Sequence, residues 1–206
     1  MSLKKAAIII TVILLIDQLS KFYIKTHFII GEDVQVFGWF KILFVENNGM
    51  AWGAKLSDFT SLISDRTAKV ILTLFRIVAI VGIGYWLHHT VKNKGANILR
   101  WAIAFIFAGA MGNIIDSVFY GVLFSDSHDQ IAEFLPASGG YDSVLHGNVV
   151  DMFYFPIWKG VLPDWIPFVG GDYFTFFEPV FNVADAAISA GFIILIVFNK
   201  RAFSKS

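Results

Sequence analysis

The chain of 206 residues contains no cysteine. That absence excludes disulfides, thiolate zinc sites and a cysteine nucleophile. Charge is scarce as well. Asp, Glu, Lys and Arg make up 16% of the residues, 56% are apolar, and the mean hydropathy is +0.66. Soluble domains carry about 25% charge, so this composition belongs to a membrane protein. The H-E-x-x-H pattern of zinc proteases is missing. His88 and His89 are adjacent and do not share a helix face, so no metal site is read there. The few basic residues flank apolar runs and give nucleic-acid binding no support. No internal repeat of the kind expected from alternating access is present.

Four apolar runs approach the roughly 20 residues needed to cross a bilayer, near 6–23, 70–88, 99–120 and 181–198. The expected fold is an all-α integral membrane protein, one domain over 1–206. It has four transmembrane helices and a small β-rich extracytoplasmic platform. Lys4 and Lys5 precede the first run, Lys92, Lys94 and Arg100 lie in or beside the link between runs two and three, and Lys200, Arg201 and Lys205 follow the fourth. None of these three segments holds an acid, and the long segments 27–69 and 121–178 carry most of the Asp and Glu. The positive-inside rule then puts both termini in the cytoplasm and both long segments outside. Lys4-Lys5 and the apolar stretch after them fit a signal peptide, but no A-x-A-like site follows, so a retained signal-anchor helix is expected.

Polar residues interrupt the apolar runs. Asp17 and Lys21 are four apart and share a helix face, which reads as an ion pair anchoring the helix end, with Lys21 snorkelling outward. Arg76 lies about two turns inside run two. In run three, Gly109, Ala110 and Gly112 permit close helix contact, and Asn113 and Asp116 share a face. In run four, Asn182 and Asp185 repeat that spacing. Given the orientation, Asp17, Asp116 and Asp185 all fall in the outer third of the membrane, with Arg76 placed to join them. Ionisable groups inside a membrane are functional-site candidates by default, and here they imply a polar site opening outward. A small carrier would use similar residues, yet no matching polar site marks the inner half.

In the outer segments, Val34–Val36 and Lys41–Val45 suggest strands, Asn48-Gly49 a turn, and 130–134 a short helix. Asp151 stands among apolar residues, where a raised pKa is expected. Two neighbouring carboxylates, one protonated and one acting as base on water, can hydrolyse an amide. Asp151 and Asp185 fit those roles; Asp17 and Asp116 are also available, and the residues alone do not choose.

Five blocks occur in order: Asp17-Gln18-x-Ser20-Lys21, Asn47-x-Gly49-x-Ala51-Trp52, Gly112-Asn113-x-x-Asp116, His146-Gly147-x-Val149-Val150-Asp151-x-Phe153 and Phe181-Asn182-x-Ala184-Asp185. Together they closely resemble the motif blocks of the bacterial lipoprotein signal peptidases (signal peptidase II). The resemblance implies an aspartic endopeptidase of the bacterial cytoplasmic (inner) membrane. It removes signal peptides from diacylglyceryl-modified prolipoproteins, cleaving before the lipidated cysteine. It also implies Asp151 and Asp185 as the catalytic dyad. Asn47, Gly49, Asn113, Asp116, Asn182, Asp17 and Lys21 would bind substrate or support the site. No metal or cofactor is implied. The implied partners are prolipoproteins, membrane lipid and globomycin-type cyclic peptide inhibitors, with a site built within one chain. The family commonly carries Arg directly after the third-block aspartate, whereas this chain has Ser117, which makes Arg76 a candidate partner for Asp116. The loop 125–141 is long for the family.

Overall fold

A computed structural model describes residues 1–47, 64–176 and 178–203; of residues 175 and 176 it describes the strand backbone alone. The expected Asn48-Gly49 turn, and with it Gly49, Ala51 and Trp52, lies outside the described residues. Among the described residues, three helices are long and apolar enough to cross a membrane. They are α1 (Leu3–Lys25), α2 (Asp65–Lys92) and α3 (Asn97–Ile115), which runs on through a π-helical segment (Asp116–Tyr120) and a short turn, α4 (Gly121–Leu123). The fourth apolar run is shorter than expected. Residues Val180–Phe181 form a strand and Asn182 is a cap, leaving α5 (Val183–Val197) 15 residues long, followed after Phe198 by α6 (Asn199–Ala202). At 1.5 Å per residue, α5 alone spans about 22 Å.

Helices α1 and α2 start where the sequence supplies an acceptor, whereas α3 starts at Ala96 without a side-chain cap. Ser2 caps α1 by accepting from Lys5 N at 3.3 Å, and Ser64 caps α2 by accepting from Thr67 N at 3.3 Å. The cap at Ser64 begins α2 a turn and a half before the apolar run does. Asp65 sits in its first turn and His89 and Lys92 in its last, matching the helix dipole. Helix α3 is the central one. Half of its membrane-length window is buried, against 17% for α1 and α2, and it packs on α1, α2 and α5. Large apolar side chains face outward from the others: Leu15 and Leu19 on α1, Phe75 and Val78 on α2, Ile193 and Ile196 on α5. Apolar surface in continuous helical stripes is what a lipid environment requires.

The strands come from the two long segments 27–69 and 121–178, with β6 at the head of the fourth apolar run. β1 (Asp33–Phe37) and β2 (Phe40–Asn47) occupy the two expected stretches. With β3 (Val149–Tyr154) and β6 (Val180–Phe181) they form a four-stranded antiparallel sheet, order β1-β2-β3-β6. A separate hairpin, β4 (Trp158–Val161) with β5 (Tyr173–Phe176), projects between β3 and β6. The expected helix at 130–134 is not formed. Phe134 instead bridges Phe124 antiparallel, Ser125 N donates to Glu133 O at 3.0 Å, and Leu135 N donates to Leu123 O at 2.7 Å. Ala132 is drawn into a core with Ile24, Phe44, Phe124, Val150 and Met152, while Ile131 and Phe134 stay exposed. That core joins the sheet to the ends of α1 and α3. A second core, around Leu87, Leu99 and Ile103, closes the opposite end of the bundle.

Candidate active site

The site forms where three helices meet β3. Two glycines permit it. A Cβ at Gly112 would sit 2.6 Å from Asp17 Oδ2 and 3.1 Å from Ala184 Cβ, so α3 gives up a side chain to admit the Asp17 carboxylate. A Cβ at Gly147 would collide with Asp116 O, so the chain entering β3 packs backbone to backbone on α3. The π segment accounts for that docking. Widening the helical turn leaves carbonyls free for outside partners, and Ser117 O accepts from Gly147 N at 2.9 Å and Val118 O from Leu145 N at 3.1 Å. The helix therefore grips the segment that delivers Asp151.

A buried ionic layer lies beneath. Lys21 Nζ is 2.9 Å from Asp17 Oδ2 and 2.8 Å from Asp116 Oδ2, and donates to Asn113 Oδ1 at 2.9 Å. The expected Asp17–Lys21 pair is present, but Lys21 does not snorkel outward. Its side chain is fully buried, because two carboxylates and an amide oxygen inside replace the water it would seek. Asp17 Oδ1 also accepts from Ala184 N at 2.8 Å, fixing the first turn of α5. Asp116 further accepts from Gln18 Nε2 at 2.9 Å and from Val150 N at 3.2 Å.

Above this layer, amides distribute the remaining acids. Asn182 caps α5 in a capping box, its Oδ1 accepting from Asp185 N at 2.9 Å while Asp185 Oδ2 accepts from Asn182 N at 3.4 Å. Its Nδ2 donates to Asp151 Oδ1 at 2.7 Å, to Val150 O at 3.2 Å and to Asn113 Oδ1 at 3.1 Å. Asn113 Nδ2 donates to Asp185 Oδ1 at 2.8 Å. Asn47 Nδ2, at the end of β2, donates to Asp151 Oδ2 at 3.3 Å. Asp151 is 3% exposed. Burial first, and then the charge of Asp185, push its carboxyl up to about 7, while the amides of Asn47 and Asn182 oppose the shift. The arrangement thus holds two acids in different settings: one buried on a strand, one at the positive end of a helix.

The structure brings together Asp17, Lys21, Asn47, Asn113, Asp116, Asp151, Asn182 and Asp185; Gly49 lies outside the described residues. The cation on Asp116 is Lys21 from α1, not Arg76 as the sequence suggested, and the acid to which Arg76 is coupled electrostatically is Asp185. Ser117, where the resembling family carries Arg, turns its hydroxyl back onto Asn113 O at 2.9 Å. Gln18, Lys25, Glu46 and Asn148 were not singled out from the sequence. Gln18 links Asp17 to Asp116, and the others form a second buried network beside the first. One signal was present: Asp17, Lys21 and Lys25 recur every four residues on one helix face.

The comparisons decide what this arrangement belongs to. The model of the family described as signal peptidase (SPase) II matches residues 9–200. The chain belongs to the signal peptidase II family. Lipoprotein signal peptidases of Porphyromonas gingivalis are 46% identical over 202 residues, covering 98% of this chain and 85% of theirs. That of Amoebophilus asiaticus is 37% identical over 191 residues, covering 91% and 73%. A bacterial membrane enzyme solved in meso at 1.9 Å resolution superposes with a TM-score of 0.59 at 25% identity, covering 99% of this chain and 96% of that one. As a signal peptidase II the chain is a protease and a membrane enzyme, and described residues from each of the five sequence blocks meet at the candidate site.

Proposed function

We propose that this protease is an aspartic endopeptidase that removes signal peptides from diacylglyceryl-modified prolipoproteins, cleaving before the lipidated cysteine, with Asp151 and Asp185 as its dyad. The observation that carries the reading is the linkage of the two acids through one residue: Asn182 donates to Asp151 and caps the helix turn that holds Asp185. In this reading Asp185 takes a proton from water as the water oxygen attacks the scissile carbonyl carbon, and Asp151 gives its proton to the carbonyl oxygen. The tetrahedral intermediate then collapses, the C–N bond breaks, and a proton passes to the leaving amine. Asn47, Asn113 and Asn182 orient the dyad; Asp17, Lys21 and Asp116 support it from below.

In this reading both termini lie in the cytoplasm and the dyad faces outward, an orientation that the charge distribution supports. Helix α5, extended by α6, is the fourth crossing. The sheet serves as a platform near the outer interface, where a lipid-modified substrate arrives from within the leaflet. The whole chain acts as one domain and one copy suffices for the site. Globomycin-type cyclic peptides would block the dyad, as the family resemblance implies.

The test is cleavage of a diacylglyceryl-modified prolipoprotein in detergent by wild type, Asp151→Asn and Asp185→Asn. Asn keeps the shape and cannot act as acid or base. Loss of cleavage in both folded variants is expected; full activity in either removes that residue from the chemistry. No cleavage by wild type would return a carrier to consideration.

A further inference from the structure

Next to the ionic layer lies a second buried polar network. Lys25 Nζ pairs with Glu46 Oε1, donates to Ser127 Oγ at 2.8 Å, and stands 4.8 Å from the Tyr141 ring centroid. Glu46 Oε2 accepts from Asn148 Nδ2 at 2.8 Å, and Asn148 Oδ1 accepts from Lys69 Nζ of α2. Asn148 N donates to the Tyr141 hydroxyl at 2.7 Å. Thus one carboxylate is tied to α1, α2, the long loop and the residue that enters β3. Lys25 is fully buried, and the Glu46 side chain is 6% exposed.

A buried ion pair is a poor source of stability, since apolar residues of similar size do as well or better. Its use lies in fixing geometry. The pairing of β2 with β3 is irregular between Ile42 and Val45, so Val45, Glu46 and Asn47 are registered beyond a break in the ladder. Neighbouring residues of a strand face opposite ways. Glu46 shares its face with the fully buried Phe44, whereas Asn47 shares its face with Val45, which pairs with Asp151. At 3.3 Å the bond from Asn47 to Asp151 is already long, so a small shift of the strand end breaks it.

We propose that Glu46 is a positioning residue: clamped by Lys25 and Asn148, it holds the end of β2 so that the Asn47 amide stays on Asp151. The inference rests on the reading of Asp151 as a dyad member, and it gives the loop 125–141 a purpose, since Ser127 and Tyr141 close the cage around Lys25. The charged groups around the two acids are Lys21 and Asp185 for Asp151, and Lys25, Lys69 and His128 for Glu46.

The experiment is steady-state cleavage of diacylglyceryl-modified prolipoprotein by Glu46→Gln, Asn47→Ala, the double variant and Asp151→Asn. Glu46→Gln should lower kcat about 10- to 100-fold with KM within about twofold of wild type. Asn47→Ala should lose a similar factor, and Glu46→Gln should add nothing in the Asn47→Ala background, because it acts through that amide. Losses that multiply in the double variant, or an unchanged kcat in Glu46→Gln, overturn the proposal. Should Glu46→Gln fail to fold, Asn148→Ala removes the bonds to Glu46 and Lys69, keeps the Lys25 pair, and faces the same comparison: a several-fold fall in kcat that vanishes in the Asn47→Ala background. Full activity of Asp151→Asn would fail the dyad reading itself. An inactive Asp151→Asn beside multiplying losses would fail this inference alone.

Discussion

Lys21 holds its ammonium between two carboxylates, Asp17 at 2.9 Å and Asp116 at 2.8 Å, with no exposure of any of the three to solvent. Removing the cation strands both acids, while removing one acid leaves a neutral pair. Lys21→Met should therefore destabilise the protein by about 3–5 kcal/mol, and Asp116→Asn by only about 1–2 kcal/mol, the scale of a disturbed buried hydrogen bond. Melting curves in detergent check the order; equal losses would contradict the layer as described. Asp151 makes a different prediction. Burial and the charge of Asp185 raise its carboxyl to about 7, whereas an unfolded aspartate titrates near about 3.9. The native state therefore binds this proton more tightly than the unfolded chain. The stability it contributes is full below about pH 4 and lost as pH rises through about 7. Asp151→Asn has no such loss. Its Tm should exceed that of wild type at pH 8 and lie at or below it at pH 5, and a Tm difference independent of pH would refute the assignment.

Among the elements, α3 sets the geometry through what it omits. A methyl group at Gly112 would press on the Asp17 carboxylate, which Lys21 and Ala184 N hold in place, and on Ala184 itself, so the contact of α3 with α1 and α5 must give. At Gly82, on α2, an added Cβ meets nothing within 4 Å. Gly112→Ala should abolish most cleavage and lower Tm, while Gly82→Ala leaves cleavage unchanged and adds up to about 1 kcal/mol through helix propensity. Comparable effects at both positions would mean that the close approach of α3 does not control the site. The glycines were readable in the sequence as a small-residue patch, and the helices as apolar runs, because hydropathy and small size are properties of single residues. The π segment was not readable: the carbonyls that the wider turn of Asp116–Tyr120 frees find their donors in Leu145 and Gly147, some 30 residues away. Residues 130–134 misled for a related reason. Local propensity favoured a helix, and pairing with Phe124 and burial of Ala132 against Phe44 and Val150 favoured an extended chain. Lys21 was misread because a partner across the bundle, Asp116, outweighs the pull of water. In each case the deciding contact is long-range.

At the scale of the molecule, the apolar stripes on α1, α2 and α5 surround one polar interior, and the basic residues that flank the helices crowd toward one end. The dyad candidates sit at the opposite end, beside the sheet. A lipid-anchored substrate has its scissile bond at the outer interface, so the function proposed requires this end of the bundle to face out; the reversed orientation would put the site on the wrong side of the membrane. The absence of cysteine makes the question simple to put, since any thiol introduced is the sole one. His88 is exposed at the basic end of α2, and Asp129 is exposed on the loop 125–141. In intact spheroplasts, a membrane-impermeant maleimide should label Asp129→Cys and leave His88→Cys untouched until the membrane is opened with detergent. Labelling of His88→Cys alone in closed spheroplasts would invert the bundle and, with it, rule out cleavage of exported prolipoproteins at this site.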